Sequence, residues 1–270
     1  FALGGHQALL PGDSLDSWLE DVVYFEDGLC EQDLVESIYL ETYDRIKDLE
    51  RLGVEFIKEA DGSYRRFTTR GLPHVRGLRP HPHGLGGKAE VEALLKEALH
   101  KGVQALSRVM ITEIITEERV LGALGFDVRS GEAQIFEAKA IIMATGQCSF
   151  KGHYADQAFS TGECYEMALR AGAELKNLEF VTIWMQPSRY SWEALGTSFP
   201  LGARLINAKG ERFMENYSPL KEMIDFNYIA RACAFEARKG NAPFYIDHST
   251  IKPDDIKFLK NRAGWMKLHV

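Results

Sequence analysis

The apolar run at residues 139–146 places the tightest constraint on what this 270-residue chain can fold into. It ends in the small residues Ala144-Thr145-Gly146. A short apolar run of this kind predicts a buried parallel strand that leads into a glycine turn. Such a turn lets backbone amides approach a bound nucleotide. Many α/β folds have a glycine turn at this place, so the run alone leaves nucleotide binding and a plain connection both open.

Helix and strand patterns alternate along the rest of the chain, which indicates an α/β protein. The predicted helices lie at residues 14–23, 31–52, 90–101 and 162–171. The predicted strands lie at residues 54–57, 109–111, 114–115, 120–126 and 134–136. Residues 64–87 are rich in arginine, histidine, glycine and proline, and they predict a basic, irregular loop.

Charge and cysteine content exclude several classes of protein. The net charge of -7 argues against a general nucleic-acid-binding role, which needs a basic face. No apolar run reaches the roughly 18 residues of a membrane helix, so we expect no direct membrane span. The four cysteines form no C-x-x-C pair, which is typical of a reducing compartment and predicts no metal site. The chain starts at Phe1 without Met, and we expect it to be an internal piece of a longer protein.

Five motifs occur in a fixed order along the chain. They are Ala2-Leu3-Gly4-Gly5, the run Glu137 to Gly146, Ser160-Thr161-Gly162-Glu163, the segment Ala168 to Phe180, and Leu205 to Met214. This ordered set resembles the flavoprotein family of succinate dehydrogenase, fumarate reductase, L-aspartate oxidase and adenylylsulfate reductase. The resemblance covers nearly the whole chain.

The resemblance implies an α/β fold that binds FAD. Residues 1–180 would form a partial Rossmann-like FAD-binding domain, without its N-terminal βαβ unit and its C-terminal segment. Residues 181–270 would form a partial α+β capping domain. The positions that the resemblance places at the cofactor are Gly4, Gly5, Val109, Ala144, Thr145, Gly146 and Glu163. Glu163 has a second interpretation, an exposed acid stabilised by the dipole at a helix N-terminus.

Three segments depart from the family pattern at positions that bind substrate or transfer protons. Gln186 stands where the family has a substrate-binding His, and Gln cannot carry charge. Apolar residues of the Phe199-Pro200-Leu201 segment replace both side chains of a proton relay. Phe226 occupies the place of the arginine that protonates fumarate. These departures argue against interconversion of succinate and fumarate, which needs a positioned acid–base group.

The remaining candidate site residues are polar. Gln186 and Arg231 are the candidate catalytic residues, although a solvated helix arginine is the alternative interpretation of Arg231. Arg76 and Arg79 are candidates for binding a substrate anion, because the equivalent loop of the family borders the substrate cavity. A basic surface loop is the alternative for both.

The leading hypothesis is therefore a FAD-dependent oxidoreductase, the flavoprotein subunit of a fumarate reductase or succinate dehydrogenase type of enzyme. It would act on a small-molecule substrate that the sequence does not identify. An iron–sulfur electron-transfer subunit would be its partner, and we expect a cytoplasmic protein, alone or peripheral to a membrane complex. The alternatives are a flavoprotein like adenylylsulfate reductase and a non-catalytic flavin electron-transfer subunit.

Overall fold

The computed structural model describes residues 5–69, 71–80, 86–146, 148–149, 161–181 and 198–265. The chain divides into two compact units. The first contains residues 1–102 and 183–270, and the second contains residues 103–182. The strands of the described residues pair in three antiparallel sheets. None of the helices in these ranges is long and apolar enough to cross a membrane.

The first part of the first unit combines three helices with a small sheet. The helices are α1 (Leu15–Phe25), α2 (Gln32–Arg51) and α3 (Gly86–His100). The strands are β1 (His6–Gln7), β2 (Phe67–Thr69) and β3 (Leu72–Leu78), in the order β1-β3-β2. The structure thus confirms the helices predicted at 14–23, 31–52 and 90–101, whereas the strand predicted at 54–57 contributes only an isolated bridge from Phe56 to Pro80.

Local sequence explains where these helices begin and which face they bury. The Ser14 hydroxyl caps α1 by accepting the Ser17 N–H at 3.2 Å. The apolar faces of α1 and α2 then pack against the buried side of β3. The residues of these two core clusters include Trp18, Tyr39, Ile46, Leu72, Val75 and Leu78.

A buried carboxylate attaches α1 to β3. Only 5% of the Asp21 side chain is exposed. Its oxygens accept the backbone N–H groups of His74 and Val75 at 2.6 and 3.0 Å, and they contact His74 Nδ1 at 2.8 Å. A charged acceptor that is buried and fully hydrogen-bonded fixes its donors in place. Asp21 therefore sets the position of β3.

The prediction of an irregular loop at residues 64–87 is wrong, since β2 and β3 lie within it. Two of the charged side chains that suggested a solvated loop are paired with residues outside this segment. Arg65 bonds to Glu59 at 2.9 Å, and Arg66 bonds to Asp13 at 2.8 Å. Because these partners lie outside the strands themselves, the local composition hid the strands.

The second part of the first unit has its own apolar core. It contains α5 (Phe226–Arg238), α6 (Pro253–Trp265), β7 (Arg204–Ile206) and β8 (Tyr245–Asp247). Two 3₁₀ turns, Phe213–Asn216 and Lys221–Met223, connect β7 to α5. The buried Glu222 accepts the Leu205 N–H at 3.0 Å and pairs with Arg212, so it joins a turn to β7.

Glu236 forms the main polar junction of α5. Its carboxylate accepts hydrogen bonds from the Tyr217 hydroxyl at 2.7 Å, from Asn241 Nδ2 at 2.6 Å and from Lys239 Nζ at 2.9 Å. These three donors, led by Tyr217, lower the pKa of Glu236 to about 2. The carboxylate thus joins the C-terminal end of α5 to the chain on either side of it.

The second unit is a three-stranded sheet with one short helix. The sheet has the order β4 (Val109–Thr116), β5 (Val120–Asp127) and β6 (Ala133–Glu137), and the helix is α4 (Glu163–Arg170). These elements confirm the strands predicted at 120–126 and 134–136 and the helix predicted at 162–171, and β4 joins the two strands predicted at 109–111 and 114–115 into one. Residues 139–146 form no strand, and Ile142 is 93% exposed, so the prediction of a buried strand there is wrong. A strand needs a neighbour for its backbone hydrogen bonds, and no strand of the described residues pairs with this run.

Replacing Asp21 tests its part in placing β3. We expect Asp21→Ala to lower the free energy of unfolding by about 3 kcal/mol, because it leaves buried backbone N–H groups without an acceptor. Asp16→Ala, which removes an exposed carboxylate from the same helix, is the control and should change little. Urea unfolding followed by circular dichroism measures both, and equal losses would refute the role of Asp21.

The low pKa of Glu236 predicts a stability change in acid. The folded protein lowers this pKa from 4.5 to about 2, so the contribution of Glu236 is complete above pH 4.5 and is lost as the pH falls toward 2. Glu236→Gln should flatten this part of the profile. Unfolding midpoints measured at several pH values between 2 and 6 provide the check, and an unchanged acid dependence in the variant would contradict it.

Candidate functional site

The strand β1 follows the glycines Gly4 and Gly5, which are predicted to contact the cofactor, and it runs along β3. Gly5 is exposed and directly precedes β1. β1 pairs with β3 through His6 opposite Leu78 and Gln7 opposite Gly77. The same register, continued by one residue, places Gly5 beside Arg79. Gly4, the other glycine of the motif, lies outside the described residues.

The two arginines proposed for anion binding have different surroundings. The Arg79 guanidinium carbon lies 4.5 Å from the centre of the Phe67 ring, a cation–π contact. Arg76 donates to the carbonyls of Pro73 and Val75 at 2.6 and 3.1 Å. Both side chains are half-buried and charged; Arg76 lies on β3, the strand that pairs with β1, and Arg79 directly follows it. Their binding of a substrate anion stays a prediction.

The predicted adenine–ribose turn is open to a ligand. Ala144, Thr145 and Gly146 are exposed, and Gly146 has φ +78. A Cβ built on Gly146 would meet no atom within 4 Å. Exposed amides in a left-handed glycine turn are the geometry that lets a backbone approach a large polar cofactor. The residues of this turn therefore fit a dinucleotide.

The N-terminus of α4 packs close to the chain that follows this turn. Gly162 precedes the helix with φ +87, and a Cβ there would lie 2.8 Å from Cys148 Sγ. Glu163 is the exposed first residue of α4, and the Thr161 hydroxyl donates to its carboxylate. A carboxylate at a helix N-terminus is stabilised by the helix dipole, as the second interpretation of Glu163 requires. The structure thus brings Glu163 and the residues after Gly146 to the same end of one helix.

Two other candidates are on regular elements. Val109 begins β4, half-buried and opposite Asp127. Arg231 lies on α5 as an exposed residue, with its guanidinium carbon 5.6 Å from the centre of the Tyr228 ring. Gln186, the second candidate catalytic residue, lies outside the described residues. Across the described ranges, no group of three His, Cys, Asp or Glu side chains comes together as it would at a metal site.

The positions that depart from the family's proton relay form part of an apolar core. Phe199 and Phe226 are each 4% exposed, and their ring centres are 6.4 Å apart. Leu201 packs against the same cluster. None of these three side chains can donate or accept a proton. The geometry therefore provides no acid–base group at these positions.

Sequence reasoning missed two residues that contact β1, the two-residue strand directly after Gly5. Glu90, on α3, bonds to His6, and Tyr39, on α2, bonds to Gln7. Both partners are far away in sequence, and one sequence carries no signal that pairs them. The one local hint is a histidine placed directly after a glycine pair.

Comparison with known proteins gives a consistent result. The family model described as FAD binding domain matches residues 1–258. A subunit of fumarate reductase (CoM/CoB) from Methanothermobacter marburgensis is 29% identical over 94% of this chain and 49% of its own length. L-aspartate oxidase of Pseudomonas aeruginosa is 29% identical over 95% of this chain and 52% of its own length. A solved structure of E. coli quinol fumarate reductase matches with a TM-score of 0.78 and 25% identity, over 89% of this chain and 44% of that one. The chain thus spans about half the length of these relatives.

Substitution of Gly162 tests the packing at the start of α4. Gly162→Ala should cost about 1 kcal/mol for the left-handed backbone and roughly 1–3 kcal/mol more for overlap with Cys148. Gly172→Ala is the matched control, since Gly172 has φ +91 but open space around it. Adding Cys148→Ala to Gly162→Ala should restore part of the loss. The free energy of unfolding is measured for all of these variants. Equal losses for Gly162→Ala and Gly172→Ala would contradict the close packing of Gly162 against Cys148.

Proposed function

Since the chain belongs to the FAD binding domain family, we propose that it is the flavoprotein part of a FAD-dependent oxidoreductase of the succinate dehydrogenase and fumarate reductase type. Its substrate is a small molecule other than succinate or fumarate. The match of the family model over residues 1–258 supports the cofactor. The similarity to an L-aspartate oxidase and to one chain of a fumarate reductase supports the reaction class.

The exposed turn at residues 144–146 is the observation that carries the cofactor assignment. When bound, FAD supplies the acceptor and donor of a hydride or an electron pair. Within the second unit, Gly146 has no side chain to obstruct its approach, and Ala144 and Thr145 are exposed in the same turn. Gly5 is exposed in the first unit and likewise has open space around it. Glu163 offers a carboxylate that accepts hydrogen bonds from a hydroxyl of the cofactor. Val109 contributes backbone contacts at the start of β4.

The apolar cluster around Phe226 supports a substrate other than a dicarboxylate. Reduction of fumarate adds a hydride to one carbon and a proton to the next, so it needs a positioned acid. Phe199, Leu201 and Phe226 occupy the positions where the family pattern has its relay, and they are packed in a core. Arg76 and Arg79 would bind an anionic group of the substrate, while Gln186 and Arg231 are the polar groups proposed for catalysis.

We further propose that the electron partner is an iron–sulfur subunit, and that the protein lies in the cytoplasm, alone or at the periphery of a membrane complex. The fumarate reductase relative and a succinate dehydrogenase relative from Rickettsia bellii are each one subunit of their enzyme, which supports a multi-subunit enzyme here. A flavoprotein like adenylylsulfate reductase is the second candidate, because such an enzyme needs no succinate relay.

Flavin reoxidation distinguishes these functions. The full protein, loaded with FAD and reduced anaerobically, is mixed with fumarate, with adenylylsulfate or with an oxidised iron–sulfur protein, and flavin absorbance is followed. We expect fumarate to reoxidise the flavin at no more than the rate of the buffer control, because Phe226 stands where the family pattern has the arginine that protonates fumarate. Rapid reoxidation by fumarate would overturn the substrate assignment. Failure of the protein to retain FAD would overturn the function itself.

A further inference from the structure

Each of the five residues that follow Gly5 forms a hydrogen bond with another part of the first unit. The partners are side chains on α2, on α3 and in the loop before α1, and one backbone carbonyl of β3. They are His6 to Glu90, Gln7 to Tyr39, Ala8 to Arg76, Leu9 to Thr42 and Leu10 to Asp13. A short segment that is bonded at every residue has little freedom left in the folded protein.

The bond between His6 and Glu90 is the one nearest to Gly5. His6 Nε2 lies 2.7 Å from Glu90 Oε1, and the two residues are 84 positions apart. The Glu90 side chain is 12% exposed and that of His6 is 33% exposed. Among the described residues, His6 is the only side chain that bonds to Glu90. A largely buried carboxylate with one partner is costly to leave unpaired, so this contact is strongly held.

The same contact fixes the orientation of the histidine ring. A carboxylate accepts hydrogen bonds, so His6 Nε2 is the donor to Glu90 in this contact. The edge of the ring packs against Phe56, with the ring centres 6.1 Å apart. The His6 side chain is thereby held by two contacts, and its backbone is held by the pairing of β1 with β3.

We propose that His6 and Glu90 form a positioning pair that holds the Gly5 backbone in the conformation that FAD requires. This inference rests on the proposed function. Glycine loses more conformational freedom on ordering than any other residue, so a loop that contains it binds weakly unless it is ordered beforehand. The pair orders the loop during folding, because α3 carries Glu90 and the sheet carries His6. FAD then binds to a backbone that is already in place.

The test replaces Glu90 in the full protein and measures FAD binding directly. Glu90→Leu removes the acceptor while it keeps an apolar side chain of similar size, so no unpaired charge is buried. Glu90→Gln keeps an oxygen that accepts from Nε2. Glu97→Leu is the matched control, because Glu97 lies on the same helix and meets His100 at 3.8 Å on the surface. Dissociation constants for FAD come from fluorescence quenching, and visible circular dichroism reports the environment of the bound flavin.

We expect Glu90→Leu to raise the FAD dissociation constant about tenfold, the size of one lost hydrogen bond to a charged group, and to alter the visible spectrum. Glu90→Gln should stay within about threefold of the wild type with an unchanged spectrum. Glu97→Leu should match the wild type. If Glu90→Leu binds FAD with the wild-type constant and spectrum, the positioning pair is refuted even where its melting temperature falls. If the wild-type protein itself binds no FAD, the proposed function fails instead.

Discussion

The Asp21 carboxylate is the interaction on which the first part of the structure depends. It is buried, and it accepts two backbone N–H groups and an imidazole nitrogen from one short stretch of β3. That stretch belongs to the strand that pairs with β1 on one side and with β2 on the other. The position of α1 against β3 therefore also determines where the strand after Gly5 runs. A single charged residue on a helix thus controls the geometry of the segment proposed to contact the cofactor.

The helices could be predicted from the sequence because their signals are local. Ser14 caps α1, and the apolar spacing of α2 repeats over twenty residues, so each helix carries its own evidence of start, face and end. The strands at 67–69 and 72–78 could not be predicted. Their hydrogen bonds involve residues as far as 72 positions away, such as Asp21 on α1 and His6, which lies opposite Leu78 in β1. The apolar run at 139–146 gave the opposite error, a strand that was predicted but is not formed. Its composition is typical of a strand, but a strand also needs a distant partner, which the local sequence does not reveal.

For the candidate site, too, the motifs identify individual residues, whereas the contacts between distant residues are seen only in the structure. The ordered motifs predict that Gly5, the turn at 144–146 and Glu163 contact the cofactor, and all of these residues are exposed in the structure. Motifs also identified Phe226 as a departure from the family pattern. They could not show that Phe226 and Phe199 are in contact, nor that Glu90 reaches His6. Those facts depend on which elements become neighbours, and one sequence does not contain them.

The contact between the two phenylalanines also bears on how such a chain could change its chemistry over evolutionary time. An arginine introduced at position 226 would enter a core where the present side chain is 4% exposed, and its charge would face apolar neighbours. A charged side chain introduced at Phe199 alone would meet the same obstacle. Each of these single substitutions is disfavoured by folding. The packing of this core therefore opposes any single substitution that would place a charged side chain at either position.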